Sequence, residues 1–553
     1  MSNVDKPVPT VQERYGARAD HYREMGLWQG GSASELLDRW AREQPTRIAF
    51  TDGTNTLDYA GLRDRAYSLA RQLKELGVKR GDRVVMQVPN WNEAAIIYHA
   101  VCRLGAVIAP VIMVYRHAEL RQILNNSGAT VAFTTGQFRS FDHAGMFREL
   151  RAECPTLKHV IQARPQDLLG DIEFEAVSAA ADAKGLDAQA EFGPYADPDQ
   201  PHVLIYTSGT ESVSKGCTHT WNTFNFSAQG LCEKIFEMRP DDTMFMPSPV
   251  GHATGMMMGV VVPLNAGAGS HLLDVWEPGE GLRRIAKYRC TASAGATPFV
   301  RMAIDAARDS GLDLSSMRSW LCAGAPIPVS LADELKTQFP NCQLLQLYGC
   351  SEINMMVATR RSDPPALRDG TAGSPVLGGI ESRLVKPDGT QAQPGEEGEV
   401  WYRGPGLMLG YWRDPERTAN AIDPEGWYHT SDLCVMDEQR FTRVSGRIKD
   451  IIIRGGSNIS AGEIENYLLA HPRIKNASVV GFPDDRLGER VCAYVVTTPG
   501  EPLTLQEVVA FLRDQKISPQ KLPERLEVVE NFPMTATGKV QKFRLRQMAA
   551  GQA

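Results

Sequence analysis

The stretch Val203-Leu204-Ile205-Tyr206-Thr207-Ser208-Gly209-Thr210-Glu211-Ser212-Val213-Ser214-Lys215-Gly216 joins a short apolar run to a loop of hydroxyls, glycines and one lysine. The apolar run predicts a β-strand, and the loop after it suits a polyphosphate. Glycines let backbone N–H groups turn towards an anion, hydroxyls add donors, and the lysine adds a mobile positive charge. The order Ser214-Lys215-Gly216 differs from the Gly-Lys-Ser/Thr order of a Walker A loop. Taken alone, this composition fits a flexible surface turn equally well. The choice between a phosphate-binding loop and a surface turn therefore depends on the rest of the chain.

Five further segments follow this loop along the chain. They are Cys322-Ala323-Gly324-Ala325-Pro326, Tyr348-Gly349-Cys350-Ser351-Glu352, Trp427-Tyr428-His429-Thr430-Ser431-Asp432, Gly446-Arg447-Ile448-Lys449-Asp450 and Pro533-Met534-Thr535-Ala536-Thr537-Gly538-Lys539. Together with the loop, they resemble the ordered motifs of the adenylate-forming (AMP-binding) enzymes, and of acyl-CoA synthetases in particular. Within that superfamily, the segments 219–223, 246–252 and 295–299 look most like the cyclohexanecarboxylate–CoA ligase branch.

The resemblance implies an α/β fold with two domains. A large N-terminal adenylation domain built from several α/β subdomains is expected over residues 1–448. A small, mobile α+β C-terminal domain is expected over residues 449–553. The length agrees with two domains, because 553 residues exceed what a single hydrophobic core usually organises.

Local patterns predict elements that fit this division. In the N-terminal part, residues 33–40 have the apolar spacing of a helix, residues 83–88 form a strand, and residues 92–101 form a helix with Asn90 as its cap. Strand–helix alternation of this kind implies α/β layers. Beyond Lys449 we expect a strand at 451–453, a helix at 463–469, strands near 477–480 and 491–496, and a helix at 505–516.

Composition narrows the class of protein. The formal net charge of −7 and the pI of about 6.0 argue against nucleic acid as a partner. The most apolar run, Met256 to Leu264, is shorter than the ~18 residues of a membrane-spanning helix, so we expect a buried core segment and no membrane span. Ten cysteines without a CxxC pair indicate reduced, mostly buried thiols in a cytoplasmic protein.

The resemblance also assigns a nucleotide site. Tyr348 would offer a flat face to adenine, Asp432 would accept hydrogen bonds from the ribose hydroxyls, and Arg447 would support the sugar or the phosphates. The residues expected to bind ATP or AMP are Thr207, Ser208, Gly209, Thr210, Lys215, Gly324, Ala325, Pro326, Gln346, Tyr348, Gly349, Ser351, Asp432, Arg447 and Lys539.

Catalysis of adenylation requires positioning and charge neutralisation, because a weakly nucleophilic carboxylate must approach the anionic α-phosphate of ATP. The resemblance gives the catalytic roles to Lys539, Glu352 and Thr207. Lys539 would bridge the substrate carboxylate and the α-phosphate. Glu352 would bind Mg²⁺, since hard oxygen ligands suit that cation.

Transfer of the acyl group to a thiol follows in the same family. There the small domain swings about a hinge, here Lys449, and opens a path for coenzyme A. Gly455 and Gly456 would line that path, where glycine permits close approach of the backbone.

The acyl pocket is predicted to be apolar. Its expected lining residues are His252, Gly255, Met256, Gly295, Ala323, Leu347 and Cys350. Small residues and pliable methionine indicate a bulky apolar, alicyclic or aromatic acid, although a methionine stripe also fits an ordinary core.

The phosphate loop departs from the family pattern Tyr-Thr-Ser-Gly-Thr-Thr-Gly-x-Pro-Lys-Gly. Glu211, Ser212 and Ser214 replace Thr, Gly and Pro. Ser214 lacks the φ restriction of proline, and Glu211 adds a negative charge beside the polyphosphate.

The sequence therefore predicts an ATP-dependent carboxylic acid–CoA ligase that forms AMP through an acyl-adenylate. Two alternatives stay open: a freestanding adenylation enzyme that loads a separate carrier protein or leaves acyl transfer to another protein, and a nucleotide-binding pseudoenzyme. The expected cofactors are ATP, Mg²⁺ and coenzyme A, the expected substrate is a small-molecule carboxylic acid, and a homodimer is compatible with the chain.

Overall fold

A computed structural model describes the chain from Pro7 to Gly551, except for residues 184, 208–213, 325, 326, 328, 329, 455, 456, 485, 499, 501, 516 and 535–539. The strands of the described residues are β1 Ile48–Thr51, β2 Thr56–Asp58, β3 Arg83–Met86, β4 Val107–Pro110, β5 Val131–Thr135, β6 Gln137–Phe138, β7 Phe141–Asp142, β8 His159–Ala163, β9 Ile172–Glu173, β10 Pro201–Thr207, β11 Lys215–Thr220, β12 Thr243–Met246, β13 Gly269–Leu272, β14 Ala292–Gly295, β15 Ser319–Ala323, β16 Gln343–Tyr348, β17 Val357–Ala358, β18 Glu381–Val385, β19 Glu397–Arg403, β20 Gly410–Tyr411, β21 Tyr428–Met436, β22 Thr442–Arg447, β23 Ile451–Arg454, β24 Ser457–Ser460, β25 Ile474–Asp484, β26 Gly488–Thr497 and β27 Arg525–Val528.

Helices alternate with these strands through most of the chain. The α-helices are α1 Val11–Tyr15, α2 Ala17–Glu24, α3 Ala33–Glu43, α4 Tyr59–Glu75, α5 Asn92–Leu104, α6 His117–Ser127, α7 His143–Leu150, α8 Phe174–Val177, α9 Ala188–Phe192, α10 Trp221–Gly230, α11 Ala253–Met256, α12 Val262–Ala266, α13 Pro278–Lys287, α14 Thr297–Ala307, α15 Ser330–Gln338, α16 Pro365–Gly370, α17 Pro415–Ala421, α18 Ala461–Leu469, α19 Leu505–Asp514 and α20 Lys542–Ala549. Short 3₁₀ turns cover Ala180–Ala183, Ile448–Asp450 and Pro519–Lys521, and π-helical turns cover Leu231–Ile235 and Met257–Val261.

Two eight-stranded sheets organise the N-terminal part. The first has the order β17-β16-β15-β14-β12-β13-β1-β2, and all pairs from β16 to β1 are parallel. The second has the order β20-β11-β10-β4-β3-β5-β8-β9. All neighbouring pairs from β10 to β9 in this order are parallel. Strand β11 runs antiparallel to both of its neighbours, β10 and β20. Mostly parallel sheets with helical connections define an α/β fold.

Three smaller sheets lie among the described residues, and one of them is the two-stranded antiparallel pair β6–β7. An antiparallel sheet of order β18-β19-β21-β22 ends at Arg447. After Lys449, β24-β23-β26-β25 form another sheet, with β27 parallel to β26. Each cluster of buried apolar side chains among the described residues lies wholly on one side of Lys449. The boundary between residues 448 and 449 stays a prediction.

Most predicted elements are confirmed with small shifts at their ends. The helices predicted at 33–40, 92–101 and 463–469 correspond to α3, α5 and α18, and the strand predicted at 83–88 ends at Met86. Residues 256–264 form the predicted buried core segment, in α-helical and π-helical turns. Among the described residues, no helix is long and apolar enough to cross a membrane. All ten cysteines are free thiols, and nine are buried.

The cap predicted for α5 is wrong. Trp91 occupies the cap position and makes no side-chain cap hydrogen bond. Asn90 instead donates to the carbonyls of Met246 and Ser248 and accepts from the backbone N–H of Val250. Because the Asn90 side chain is buried, its amide must be hydrogen-bonded. The distant backbone groups satisfy it, and it does not cap α5.

Five buried histidines dominate the acid sensitivity that we expect of the fold. Burial lowers the pKa of His99, His202 and His271 to about 3 and that of His143 and His219 to about 4. Below pH ~6.5 the unfolded chain therefore binds protons that the folded chain does not, and the free energy of unfolding falls as pH falls through this window.

We predict that the melting temperature decreases steadily between pH 7 and pH 5, because each depressed histidine contributes a slope of up to about 1.4 kcal/mol per pH unit. His271→Phe should make the decrease shallower, since His271 lies buried between the rings of Phe245 and Tyr288. The exposed His21 gives the control His21→Gln. Thermal scans across pH measure both, and equal slopes for the two variants would contradict the prediction.

Candidate active site

Several predicted site residues lie at the carboxyl ends of the parallel strands in the first sheet. Gly295 ends β14, Ala323 ends β15 and Tyr348 ends β16. The segment from Pro247 to His252 follows β12 and leads into α11. Crevices outside the carboxyl ends of parallel strands are the usual ligand sites of open α/β sheets.

The phosphate loop joins two antiparallel strands. Thr207 ends β10 and lies opposite Lys215, the first residue of β11. The predicted ligands Ser208, Gly209 and Thr210 lie outside the described residues. Lys215 places its Nζ 5.4 Å from the ring centroid of Tyr411. A cavity of about 290 Å³ adjoins the loop, lined by Gln122, Asn125, Asn126, Ser214, Lys215, Gly216, Tyr411, Trp412, Asp414 and Arg417.

Asp432 is the centre of a contact that joins two sheets. Tyr348 Oη donates to Asp432 Oδ2 at 2.7 Å, and Arg447 Nε donates to the other carboxylate oxygen. The Asp432 side chain is 6% exposed and the Arg447 side chain 52%. Burial lowers the pKa of Arg447, but the charge of Asp432 outweighs this and raises it above its ordinary value. The structure thus brings together three of the residues predicted to bind the nucleotide, and their role in binding stays a prediction.

Glu352 is a buried carboxylate, 9% exposed. Its Oε1 accepts a 2.7 Å hydrogen bond from Tyr411 Oη, and its backbone carbonyl accepts from Met408 N–H. No ion pair to Glu352 occurs among the described residues. A buried carboxylate without a cationic partner is costly, so the environment of Glu352 fits a bound cation.

His219 fixes the backbone beside Glu352. Its Nε2 lies 2.7 Å from the carbonyl oxygen of Ser351, which only accepts, so Nε2 carries the hydrogen. Its Nδ1 lies 3.1 Å from the Thr223 hydroxyl. Because burial lowers the pKa of His219 to about 4, the ring is neutral at physiological pH. Sequence reasoning used His219 only as part of a resemblance and missed this contact.

The structure describes some of the residues predicted to contact adenine. Gly324 has a φ of +84°, which favours glycine. A Cβ added to Gly349 would lie only 2.1 Å from the carbonyl oxygen of Asn354, so this position also requires glycine. Gln346 donates its side-chain amide to the carbonyls of Arg368 and Asp369. Ala325 and Pro326 lie outside the described residues.

Three of the predicted acyl-lining residues, His252, Gly255 and Met256, lie at the start of α11 or within it. His252 caps α11, accepting from Thr254 N–H, and is half-buried. A Cβ on Gly255 would meet Pro249 O at 2.0 Å, so this glycine permits close packing of α11. Met256 and Leu347 are buried, whereas Ala323 and Cys350 are half-buried. A π-helical turn follows at Met257–Val261, a feature often found at functional sites.

The hinge candidate Lys449 lies in the turn between β22 and β23 and is exposed. Arg546 of α20 donates to the Lys449 carbonyl at 2.9 Å and forms a 2.6 Å ion pair with Asp450. Lys542 also contacts Asp450, and bridges to Glu465 at 2.8 Å. Gly455, Gly456 and Lys539 lie outside the described residues.

Tyr411 is the functional candidate that sequence reasoning missed. Its partner residues are distant in sequence, and the contact depends on the short strand β20, which pairs Tyr411 with Cys217 of β11. The only sequence signal is its aromatic position in Gly410-Tyr411-Trp412, which is indistinguishable from an ordinary core residue.

Comparison with known proteins identifies the family. Residues 37–412 match the family described as AMP-binding enzyme, and residues 463–539 match the AMP-binding enzyme C-terminal domain. The chain is 36% identical to a medium-chain fatty-acid–CoA ligase of Escherichia coli (strain K12), covering 99% of this chain and 94% of the relative. It is 30% identical to a 2,3-dihydroxybenzoate-AMP ligase of Bacillus subtilis (strain 168), covering 96% of each.

A solved structure agrees on the fold. The anthranilate CoA ligase AuaEII in complex with anthranoyl-AMP superposes with a TM-score of 0.83, at 24% identity, over 94% of this chain and 97% of that chain. The predicted α/β fold, with a large N-terminal and a small C-terminal domain, is therefore confirmed.

The chain belongs to the AMP-binding enzyme family. It is an ATP-dependent acid–CoA ligase of the AMP-forming class, acting through an acyl-adenylate, and its acid is not specified by these comparisons. The predicted reaction class is confirmed, and the residue assignments stay predictions.

We predict that Asp432→Asn weakens AMP binding by about 10- to 100-fold, because a hydrogen bond to a charged group contributes about 1.5–3 kcal/mol. Isothermal titration calorimetry with AMP measures the loss. Glu381→Gln is the matched control, since it removes the carboxylate of an ion pair with Arg403 in the same sheet. Equal AMP affinities for the two variants, both folded, would refute a nucleotide role for Asp432.

Proposed function

We propose that the acid of this ligase is medium-sized or bulky and apolar, with an alicyclic, aromatic or aliphatic body. The observation that carries this proposal is the character of the surface around the start of α11. The residues assigned to the acyl pocket have small, apolar or imidazole side chains, and Met256 of α11 is fully buried. Since the side chains assigned to the acyl pocket carry no carboxylate or ammonium group, a ring or short alkyl chain fits them better than an amino acid does.

The relatives support an acid of this kind. One carries a medium-chain fatty acid in its name and another 2,3-dihydroxybenzoate. These acids differ in shape, and both combine one carboxylate with a largely apolar or aromatic body. Methionine adapts to different apolar shapes, so the buried methionines near α11 suit this range.

The nucleotide is proposed to lie between the phosphate loop and the Tyr348–Asp432 contact. Asp432, already oriented by Tyr348 and Arg447, has further lone pairs for the ribose hydroxyls. Thr207 and Lys215 flank the loop and would hold the terminal phosphates. Such preorganised donors contribute to catalysis because they need no rearrangement as charge develops.

Glu352 is proposed to bind Mg²⁺ together with the phosphates. A magnesium ion in enzymes of this kind is usually held by one or two carboxylates plus phosphate oxygens, and the buried carboxylate of Glu352 fits that donor set. When bound, the ion neutralises charge on the phosphate oxygens. The chain's own contribution is to hold Glu352 in place through Tyr411 and the Ser351–His219 contact.

Lys539 is proposed to neutralise the charge that builds between the carboxylate and the α-phosphate. This assignment rests on the resemblance of the segment 533–539 to the family's lysine loop. Rotation at Lys449 would then withdraw this loop and admit the thiol past Gly455 and Gly456.

A panel of carboxylic acids in ATP–pyrophosphate exchange tests the substrate class. We expect exchange with medium-chain, alicyclic and aromatic acids, weak exchange with acetate, and none with a zwitterionic amino acid, because the pocket offers no charge to pair with an ammonium group. Best exchange with acetate or an amino acid would contradict the proposal.

Product detection with and without coenzyme A then tests the acceptor. An acyl-CoA thioester is expected. Release of the acyl-adenylate with coenzyme A present, and thioester formation only on a carrier protein, would support the freestanding adenylation alternative, in keeping with the relative named as an AMP ligase.

We predict that Lys539→Ala lowers adenylation by roughly a hundredfold or more, on the scale of losing one oriented charge donor. Thiolation of a preformed acyl-adenylate should stay nearly intact, since the small domain would have turned away in that step. Single-turnover measurements of each half-reaction separate the two. The exposed Lys475 of β25 gives the control Lys475→Ala. Equal loss of both half-reactions in Lys539→Ala would contradict the two-conformation scheme.

A further inference from the structure

We infer that Tyr411 is a positioning residue for the metal–nucleotide complex. Its hydroxyl holds one oxygen of Glu352 and leaves the other directed at a cation, and its ring links Glu352 to Lys215 at the base of the phosphate loop. The inference rests on the proposed role of Glu352.

The backbone of Tyr411 is fixed independently of its ring. It forms part of β20, where Tyr411 pairs with Cys217 of β11. Its N–H donates to the hydroxyl of Thr418 at 2.9 Å, and that hydroxyl donates to the carbonyl of Asp414 at 2.7 Å. The backbone that carries the ring is therefore rigid, and the position of the hydroxyl is well defined.

Among the described residues, the hydroxyl has one hydrogen-bond partner, Glu352 Oε1, at 2.7 Å. Tyr411 is 4% exposed, so water does not substitute easily for this bond. A carboxylate only accepts, so the phenol hydroxyl is the donor. A donor to one carboxylate oxygen orients the whole group, as outer partners of metal-binding carboxylates commonly do.

The ring of Tyr411 is in turn placed by Lys215. The ammonium lies 5.4 Å from the ring centroid, within the range of a cation–π interaction. The ring and Lys215 both border the cavity of about 290 Å³, so apolar packing does not enclose this part of the ring completely. Lys215, Tyr411 and Glu352 thus form a continuous line from the phosphate loop to the carboxylate, and phosphate binding by Lys215 changes the environment of Tyr411 directly.

A positioning role and a packing role predict different effects when the Tyr411 hydroxyl is removed. Removing only the hydroxyl keeps the ring, the strand pairing and the Lys215 contact. Glu352 then loses the phenol donor that holds its Oε1, and its carboxylate is less constrained. The affinity for a divalent cation in the nucleotide complex should fall, whereas the affinity for metal-free ATP and for the acid should not.

Tyr411→Phe therefore should raise the Mn²⁺ concentration that half-saturates the complex with a non-hydrolysable ATP analogue by about tenfold, the scale on which outer-partner losses weaken metal sites. Electron paramagnetic resonance of free Mn²⁺ measures this without turnover. The Mg²⁺ concentration for half-maximal ATP–pyrophosphate exchange should shift in parallel, with the KM for the acid unchanged.

Tyr59→Phe is the matched control. Tyr59 is also buried, and its hydroxyl also donates one hydrogen bond, at 2.8 Å, to the carbonyl of Ala268. The melting temperature should fall by a similar amount in both variants, but only Tyr411→Phe should weaken the affinity for Mn²⁺. A change in Mn²⁺ affinity that is the same in both variants, or absent from both, would overturn the inference.

Failure of this inference is distinguishable from failure of the proposed function. If the wild-type protein shows no metal-dependent exchange with any acid, the proposed function fails. If wild-type exchange is normal and Tyr411→Phe binds Mn²⁺ and ATP as the wild type does, only the role of Tyr411 is wrong. Loss of metal-free ATP binding in Tyr411→Phe, measured with a chelator present, would indicate a packing role instead.

Discussion

The antiparallel pairing of β10 with β11 is the interaction on which the nucleotide side of the molecule depends. It fixes both ends of the phosphate loop, because Thr207 and Lys215 lie opposite each other. Alternation along β11 then directs Lys215 and His219 to one face. From that face Lys215 meets Tyr411, and His219 holds the Ser351 carbonyl. One strand thereby orients both Lys215, a proposed phosphate ligand, and the backbone that carries Glu352.

Two buried carboxylates in this region have opposite environments. Asp432 is neutralised within the protein by Arg447 and receives a second hydrogen bond from Tyr348. Glu352 receives a hydrogen bond from Tyr411 and has no cationic partner among the described residues. Because an unpaired buried charge is unfavourable, Glu352 is suited to a bound cation, whereas Asp432 is suited to neutral hydroxyl groups. The surroundings thus separate two chemically similar side chains into different roles.

Motif order sufficed to predict the fold class, the reaction class and the sequence position of most candidate site residues. Apolar periodicity placed α3, α5 and α18 within a few residues. The failures have one physical cause, which is contact between residues remote in sequence. Asn90 looked like a helix cap but binds the backbone at 246–250. Tyr411 and Glu352 are 59 positions apart, and no local pattern records that their side chains meet.

The link between α20 and the turn at Lys449 has a mechanical consequence. Arg546, 97 positions further along the chain, binds the carbonyl of Lys449 itself and the carboxylate of Asp450. Torsion about this turn therefore strains or breaks bonds to the last helix. The stiffness of the proposed pivot is accordingly set by α20, and changes in the sequence of α20 would alter the rate of the proposed reorientation without touching any group proposed to meet a substrate.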